Sequence, residues 1–158
     1  MIRRQEMTRS SLLILMVLFF GMPAFAMIRT LPFPELVQKA EVIIIASVDT
    51  QQVVSPADAK IPETSTVVKI EKILKGTIEA DKPLQFNTPG SKDFVVRDRP
   101  RFPIPGERVV LFLMKNEDGE LRILNGVQGL WPIESGSDKT LGMGFNYSIK
   151  QIEEELAR

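Results

Sequence analysis

The stretch TVVKIEKILKG, Thr66 to Gly76, decides the fold that the sequence predicts. Aliphatic residues alternate there with charged ones, which is the period-two pattern of a half-buried strand. The alternation assigns Val68 and Ile73 to opposite faces and fails near Lys72, where a β-bulge would restore the register. The glycine that ends the stretch allows a tight turn. We therefore predict one long, bulged strand whose charged side chains face solvent.

Outward from this strand, apolar runs alternate with turn signals. The preceding run, Glu41 to Val53, begins as a continuous β-branched segment and becomes mixed, which is typical of a strand buried on both faces at its start and half exposed at its end. Farther along, Glu107 to Lys115 predicts another strand and Asp118-Gly119 a hairpin turn. Together these elements predict a mainly β domain, built as a five- to six-stranded barrel that is closed or nearly closed.

A short helix is predicted at each end of this barrel. Pro34 can open the N-terminal one, since proline fits the first helical turn. Ser148 followed three residues later by Gln151 forms the sequence pattern of a capping box. Apolar residues at i, i+3 and i+7 from Ile149 give the C-terminal helix one buried face. So short a helix is stable only when it docks on the barrel.

The first 26 residues have the three parts of a secretory signal peptide. A basic start, Met1 to Arg9, precedes an uncharged apolar run, Ser10 to Phe20, and Ala24-Phe25-Ala26 supplies small residues for cleavage. An uncleaved membrane anchor is the alternative, but the apolar run is shorter than the about 20 residues that a spanning helix needs. We predict cleavage after Ala26 and export of one domain, residues 27–158, to a periplasm or the medium. Membrane contact is then expected only through the signal peptide.

Composition excludes several classes of function. The 20 basic and 20 acidic residues balance, so no broad basic field favours nucleic-acid binding. The chain has no histidine and no cysteine, which removes Ser-His-Asp and Cys-His catalysis and most zinc sites. We predict no catalytic residues, no metal site and no cofactor. A small hydrolase that needs no histidine is the alternative, with Ser135 and Lys139 as its formal catalytic pair.

Four residues are candidates for binding. Arg97, Arg99 and Arg101 lie in the segment VVRDRPRFPIPG, where they could form an edge that binds an anionic ligand or a partner. The alternative is a solvated loop that keeps a barrel edge from pairing with another chain. Trp131 is the only tryptophan. It could stack on a sugar or a partner at the barrel mouth, or it could be a core or rim residue.

Three segments, AEVIIIASV, VVKIEKILKG and PGERVVLFL, resemble the netrin-like domain, an OB-type barrel also found in tissue inhibitors of metalloproteinases. They are also similar to small bacterial exported proteins of that barrel type. The resemblance covers roughly Pro34 to Ile133 and implies an OB-like barrel. Those inhibitors chelate the zinc of their target through an N-terminal cysteine. Since this chain has no cysteine and its mature N-terminus would be Met27, the resemblance implies the barrel without that inhibition.

These observations predict an exported, non-enzymatic domain that binds an unknown protein or envelope component. A peptidase inhibitor that acts through a loop is a further alternative.

Overall fold

The computed structural model describes residues 29–56, 58–142 and 146–158. The predicted signal peptide and its cleavage site lie outside these ranges. The elements follow in this order: α1 (Phe33–Lys39), β1 (Val42–Val53), β2 (Glu63–Lys75), β3 (Leu84–Pro89), β4 (Arg108–Lys115), β5 (Leu121–Ile123), a short 3₁₀ helix (Gly126–Gly129), β6 (Leu130–Pro132) and α2 (Ile149–Leu156).

The six strands form one antiparallel sheet in the order β3-β2-β1-β4-β5. β5 and β6 pair with the same edge of β4, β5 at Leu113 and β6 at Val110. The predicted mainly β architecture with a helix at each end is confirmed. Within the described ranges, however, β3 and β5 do not pair with each other, so the sheet is not closed.

The predicted bulge near Lys72 is confirmed. The pairing of β1 with β2 shifts register between Ile70 and Lys72, which leaves Glu71 as an extra residue. The extra residue reverses the facing of the residues after it, so Ile73 packs into the same apolar cluster as Val68. The predicted assignment of these two residues to opposite faces is wrong for that reason. Further register shifts on both sides of this point add to the twist of the two strands.

β1 is buried on both faces of the sheet in its first half, as predicted, and β4 is buried on both faces at its centre. Each face has its own apolar cluster. The helical face packs against α1 and α2, and its cluster includes Ile43, Ile45, Val110, Phe112, Trp131 and Ile152. Among the described elements no helix packs on the opposite face, and its cluster includes Val42, Ile44, Val68, Phe86, Phe102 and Leu111.

α1 is fixed to the sheet at its end. Lys75, the last residue of β2, donates hydrogen bonds from Nζ to the carbonyls of Val37 at 2.8 Å and Gln38 at 2.9 Å. A cation at this position satisfies carbonyls that lack a partner within the helix. On the solvent side, a hydrogen bond from Lys39 lowers the pKa of the Glu35 carboxyl.

α2 begins with the predicted capping box. The Ser148 hydroxyl accepts from the backbone N–H of Gln151 at 3.2 Å, and the Gln151 side chain accepts from the N–H of Ser148 at 2.8 Å. Ile152 is fully buried against the helical face. Lys72 of β2 reaches Glu153 at 2.6 Å. Among the described residues, no helix is long and apolar enough to cross a membrane.

Candidate functional site

The segment that joins β3 to β4, residues 90–106, crosses the face of the sheet opposite the helices, and we call it the strap. Phe102 anchors it there, because its ring is buried and stacks on Phe86 with centroids 5.6 Å apart. The side-chain amide of Gln51 donates to the Pro103 carbonyl at 3.0 Å. The strap has no regular structure, which fits its prolines.

A tight turn starts the strap at Gly90. The Gly90 N–H donates to the carbonyl of Pro62 at 2.7 Å, and the Thr64 hydroxyl donates to the Gly90 carbonyl at 2.7 Å. Gly90 has φ +113°, and a Cβ atom there would lie 2.9 Å from the Phe94 carbonyl oxygen. Only glycine fits this position without moving the strap.

Between the strap and the sheet lies a cavity of about 430 Å³, which we call the strap pocket. This volume falls within the range of about 300–1,000 Å³ that is usual for small-molecule sites. The floor of the pocket consists of two pairs of residues that lie opposite each other on neighbouring strands. Gln51 of β1 faces Thr66 of β2, and Thr64 of β2 faces Thr88 of β3. Threonine and glutamine therefore continue the face that holds the apolar cluster.

Two hydroxyls of this floor have no partner in the part of the chain that the structure describes. Thr66 is fully buried, and its Oγ1 makes no hydrogen bond to any described residue. Thr88 is 7% exposed, and within the described ranges its hydroxyl makes no hydrogen bond either. Thr64 differs, because its hydroxyl donates to the strap. Buried polar groups without partners are rare, and leaving one unpaired costs about 1–3 kcal/mol.

The rim of the strap pocket is basic. Lys92, Arg99 and Arg101 line it, and among the residues that the structure describes no carboxylate does. All three are exposed. Arg101 donates from Nη2 to the Lys92 carbonyl at 3.4 Å, and no described carboxylate forms an ion pair with any of the three. Their charges are therefore uncompensated and directed at one cavity.

The structure brings two of the three candidate arginines together. Arg99 and Arg101 line the strap pocket, whereas Arg97 is exposed on the strap outside that lining. Asp98, between Arg97 and Arg99, has φ +59°, a left-handed conformation that aspartate tolerates better than most residues.

Exposed apolar side chains also gather at the strap pocket. Val53, Phe94, Val95 and Ile104 line it and are 54%, 45%, 67% and 65% exposed. Apolar side chains that cluster on a surface next to polar groups mark binding sites more often than isolated ones do.

Arg99 also borders a second cavity. A groove of about 770 Å³ is lined by β3 and β5, the two unpaired ends of the sheet path, together with Thr88, Arg99 and Pro100. Thr88 and Arg99 thus lie where the strap pocket meets this groove.

Trp131 lies on the helical face, away from the arginines. It is 4% exposed and its ring packs 4.7 Å from that of Phe112 and 5.6 Å from that of Tyr147. Its indole N–H donates to the Gln128 carbonyl at 2.7 Å. The sequence left open whether Trp131 lies at the barrel mouth or in the core, and the structure has it in the core.

Ser135 and Lys139 lie in an exposed turn between β6 and α2. Neither lines the strap pocket or the groove, and within the described part of the chain no hydrogen bond joins them. The structure therefore shows no hydrogen bond through which Lys139 could act as a base on the Ser135 hydroxyl.

Comparison of the chain with protein families, with curated proteins and with solved structures found no match.

Sequence reasoning missed the threonine floor. A signal for it was present, because Thr64 and Thr66 extend the alternation that puts Val68 on a buried face. Polar residues at inward positions of a strand point to a hydrogen-bonded core or to a site. Thr88 carried no such signal, since it precedes a Pro-Gly turn and fits the composition of that turn.

We expect Thr66→Val to stabilise the protein. Valine keeps the shape of threonine and removes the unpaired hydroxyl, so the free energy of unfolding should rise by about 1 kcal/mol. That corresponds to a gain of about 3–6 °C in the melting temperature for a domain of this size. Thr64→Val is the matched control: it removes a hydroxyl that does have a partner and should destabilise by about 1 kcal/mol. A loss of stability in Thr66→Val would show that this hydroxyl is bonded in the folded protein.

Proposed function

We propose that the protein is an exported, non-enzymatic binding protein that holds a protein or envelope component at the strap pocket. One observation carries the proposal: three cations without a described ion-pair partner surround a cavity whose floor has two hydroxyls without a partner among the described residues. The exposed cations are available to a ligand. An anionic group can pair with them and accept from the Thr88 hydroxyl.

The chemistry of the pocket supports binding rather than catalysis. Its polar side chains are threonine, serine, glutamine, lysine and arginine. Arginine cannot act as a base, because it stays protonated in proteins. Hydroxyls need a neighbouring base to become nucleophilic, and among the described residues no hydrogen bond joins the Lys92 amine to a hydroxyl of the pocket.

The export proposal rests on the sequence of residues 1–26, which has the basic, apolar and cleavage-site parts of a signal peptide in the right order. The absence of cysteine is compatible with an oxidising compartment, because no thiol is available for unwanted disulfides.

We also propose that the sheet is an OB-type barrel of netrin-like kind, opened between β3 and β5. Two features support this. The five strands of the path are antiparallel, with three register shifts between β1 and β2, and the two free edges line one groove, which is where such a barrel would close.

Affinity capture tests the binding proposal. The bait is the protein recovered from the exported fraction, which should begin at Met27, and the source is an envelope extract from the same cells. The wild type should retain a component that the Arg99→Ala/Arg101→Ala variant releases. Both arginines are exposed and without ion pairs, so the variant should melt as the wild type does.

Arg158→Ala is the matched control, because it removes an exposed arginine at the end of α2 that lies outside the strap pocket. It should retain the component. If the double variant retained the same component as the wild type, the strap pocket would not be the binding site. Identification of the component as a peptidase that the protein inhibits would favour the alternative of a loop-based inhibitor.

A further inference from the structure

The strap pocket joins a basic rim to an apolar wall, and this combination defines a class of ligand. We propose that its ligand is an anionic amphiphile: one carboxylate or phosphate head group on a single alkyl chain. This inference rests on the proposed binding function and specifies its ligand.

The charge requirement comes from the rim. Lys92, Arg99 and Arg101 line the pocket without a described carboxylate, although basic and acidic residues are equal in number over the whole chain. The lining of this cavity therefore carries an excess of positive charge. Guanidinium groups bind the paired oxygens of carboxylate and phosphate, and they do so with two parallel hydrogen bonds.

The apolar requirement comes from the wall. Val53 of β1 and Phe94, Val95 and Ile104 of the strap are exposed and line the same cavity. A free anion such as phosphate would leave these side chains in water. A ligand that covers them must have an apolar part attached to its charged group.

An alkyl chain fits this wall better than a peptide does. The backbone of a peptide brings N–H and C=O groups that need partners when they are buried. Pro89, Pro100 and Pro105 line the pocket and have no N–H to offer. The side-chain N–H group of Gln51 already donates to the strap. An alkyl chain makes no such demand.

The position of the head group follows from the residues shared by the cavities. Four residues line both the strap pocket and the groove between β3 and β5, and Thr88 and Arg99 are the polar ones among them. The Thr88 hydroxyl has no partner among the described residues and can donate to an anionic oxygen. The chain then extends toward Val53 and Ile104.

Calorimetric titration of the purified protein with twelve-carbon amphiphiles tests the ligand class. The probes are dodecanoate and dodecyl phosphate, with dodecylphosphocholine and dodecyl maltoside as zwitterionic and neutral counterparts, all kept below the concentrations at which they form micelles. We expect the two anions to bind at least tenfold more tightly than dodecyl maltoside. Acetate, which has the head group alone, should show no measurable binding.

Two variants check where the probe binds. Arg99→Ala/Arg101→Ala should lower the affinity for dodecanoate at least tenfold. Ile104→Ser should lower that affinity severalfold without changing the preference for anions. Arg158→Ala should bind as the wild type does. Unchanged melting temperatures of the free variants exclude misfolding as the cause.

Three results would overturn the ligand class. If dodecyl maltoside bound as tightly as the two anions, the charge of the head group would have no part in binding. Binding only to intact vesicles of anionic phospholipid, with none of the monomeric probes, would assign a bilayer surface instead. Preference for an apolar peptide with a free carboxyl terminus over dodecanoate would assign a peptide ligand. Any of these can occur while capture still depends on Arg99 and Arg101, in which case the proposed binding site stands and only its ligand changes.

Discussion

Trp131→Ala is expected to lower the free energy of unfolding by about 3–5 kcal/mol, the range for truncation of a buried aromatic residue. The indole ring connects parts of the chain that are far apart in sequence. It stacks on Phe33 of α1 and Tyr147 ahead of α2, and it lies against Phe112 of β4. Its removal would leave a cavity at the junction of both helices with the sheet.

The matched variant is Trp131→Phe. It keeps a ring against Phe112 and loses the indole N–H that bonds the Gln128 carbonyl, so about 1–3 kcal/mol should be lost. Chemical denaturation followed by circular dichroism measures both variants. A Trp131→Ala variant that melted like the wild type would show that the ring is not packed as described.

This prediction has a consequence for function. A loss of about 3–5 kcal/mol is a large part of the total stability of an ordinary domain, about 5–15 kcal/mol. A binding defect in Trp131→Ala would therefore report partial unfolding. The same residue is useful in another way. As the only tryptophan, buried on the helical face, its fluorescence reports global unfolding of strap-pocket variants.

The sequence predicted the features that depend on neighbours in the chain. The two-sided burial of early β1, the bulge beside Lys72 and the capping box at Ser148 each follow from local periodicity or from a motif of a few residues. Turn chemistry was equally local, as at Gly119, which has the positive φ of +82° that the Asp-Gly pattern requires.

Features that depend on long-range contact were not predictable in the same way. Phe102 lies in a proline-rich segment with no periodicity, and nothing in its neighbourhood indicates that it stacks on Phe86. The burial of Trp131 depends on Phe33, far toward the N-terminus, and on Tyr147, more than a dozen residues later. The candidate site follows the same division, because the arginines were visible in the sequence and the cavity that they line was not.

The two faces of the sheet differ in composition. The helical face is apolar, and Trp131 packs there against the rings of Phe33, Phe112 and Tyr147. The strap face passes from an apolar cluster at Val68 to polar Thr66 and Thr64 two and four residues earlier on the same strand. The strap pocket forms at this polar end of the face.

Gly76→Ala is the second substitution with a large expected effect. Gly76 follows β2 with φ +83°, and a Cβ atom there would lie 2.3 Å from the carbonyl oxygen of Glu41 and 3.0 Å from a methyl of Val42. The Glu41 N–H, just before β1, donates to the Leu113 carbonyl of β4 at 2.9 Å, so this point has little freedom to move. Alanine must therefore add a backbone collision to the usual strain of a left-handed residue.

Gly136→Ala separates these two costs. Gly136 has a similar φ of +75°, but nothing lies within 4 Å of the position that its Cβ atom would take. Gly136→Ala should lower the free energy of unfolding only by the cost of the conformational strain, about 1–2 kcal/mol. Gly76→Ala should lower it by that amount and by at least about 2 kcal/mol more, which is the scale of an overpacked core position. Urea denaturation of both variants measures the difference as a shift in midpoint at constant slope. Equal losses of unfolding free energy in the two variants would mean that the end of β2 can move away from β1. The Lys-Gly turn would then reverse the chain without fixing the register between β1 and β2.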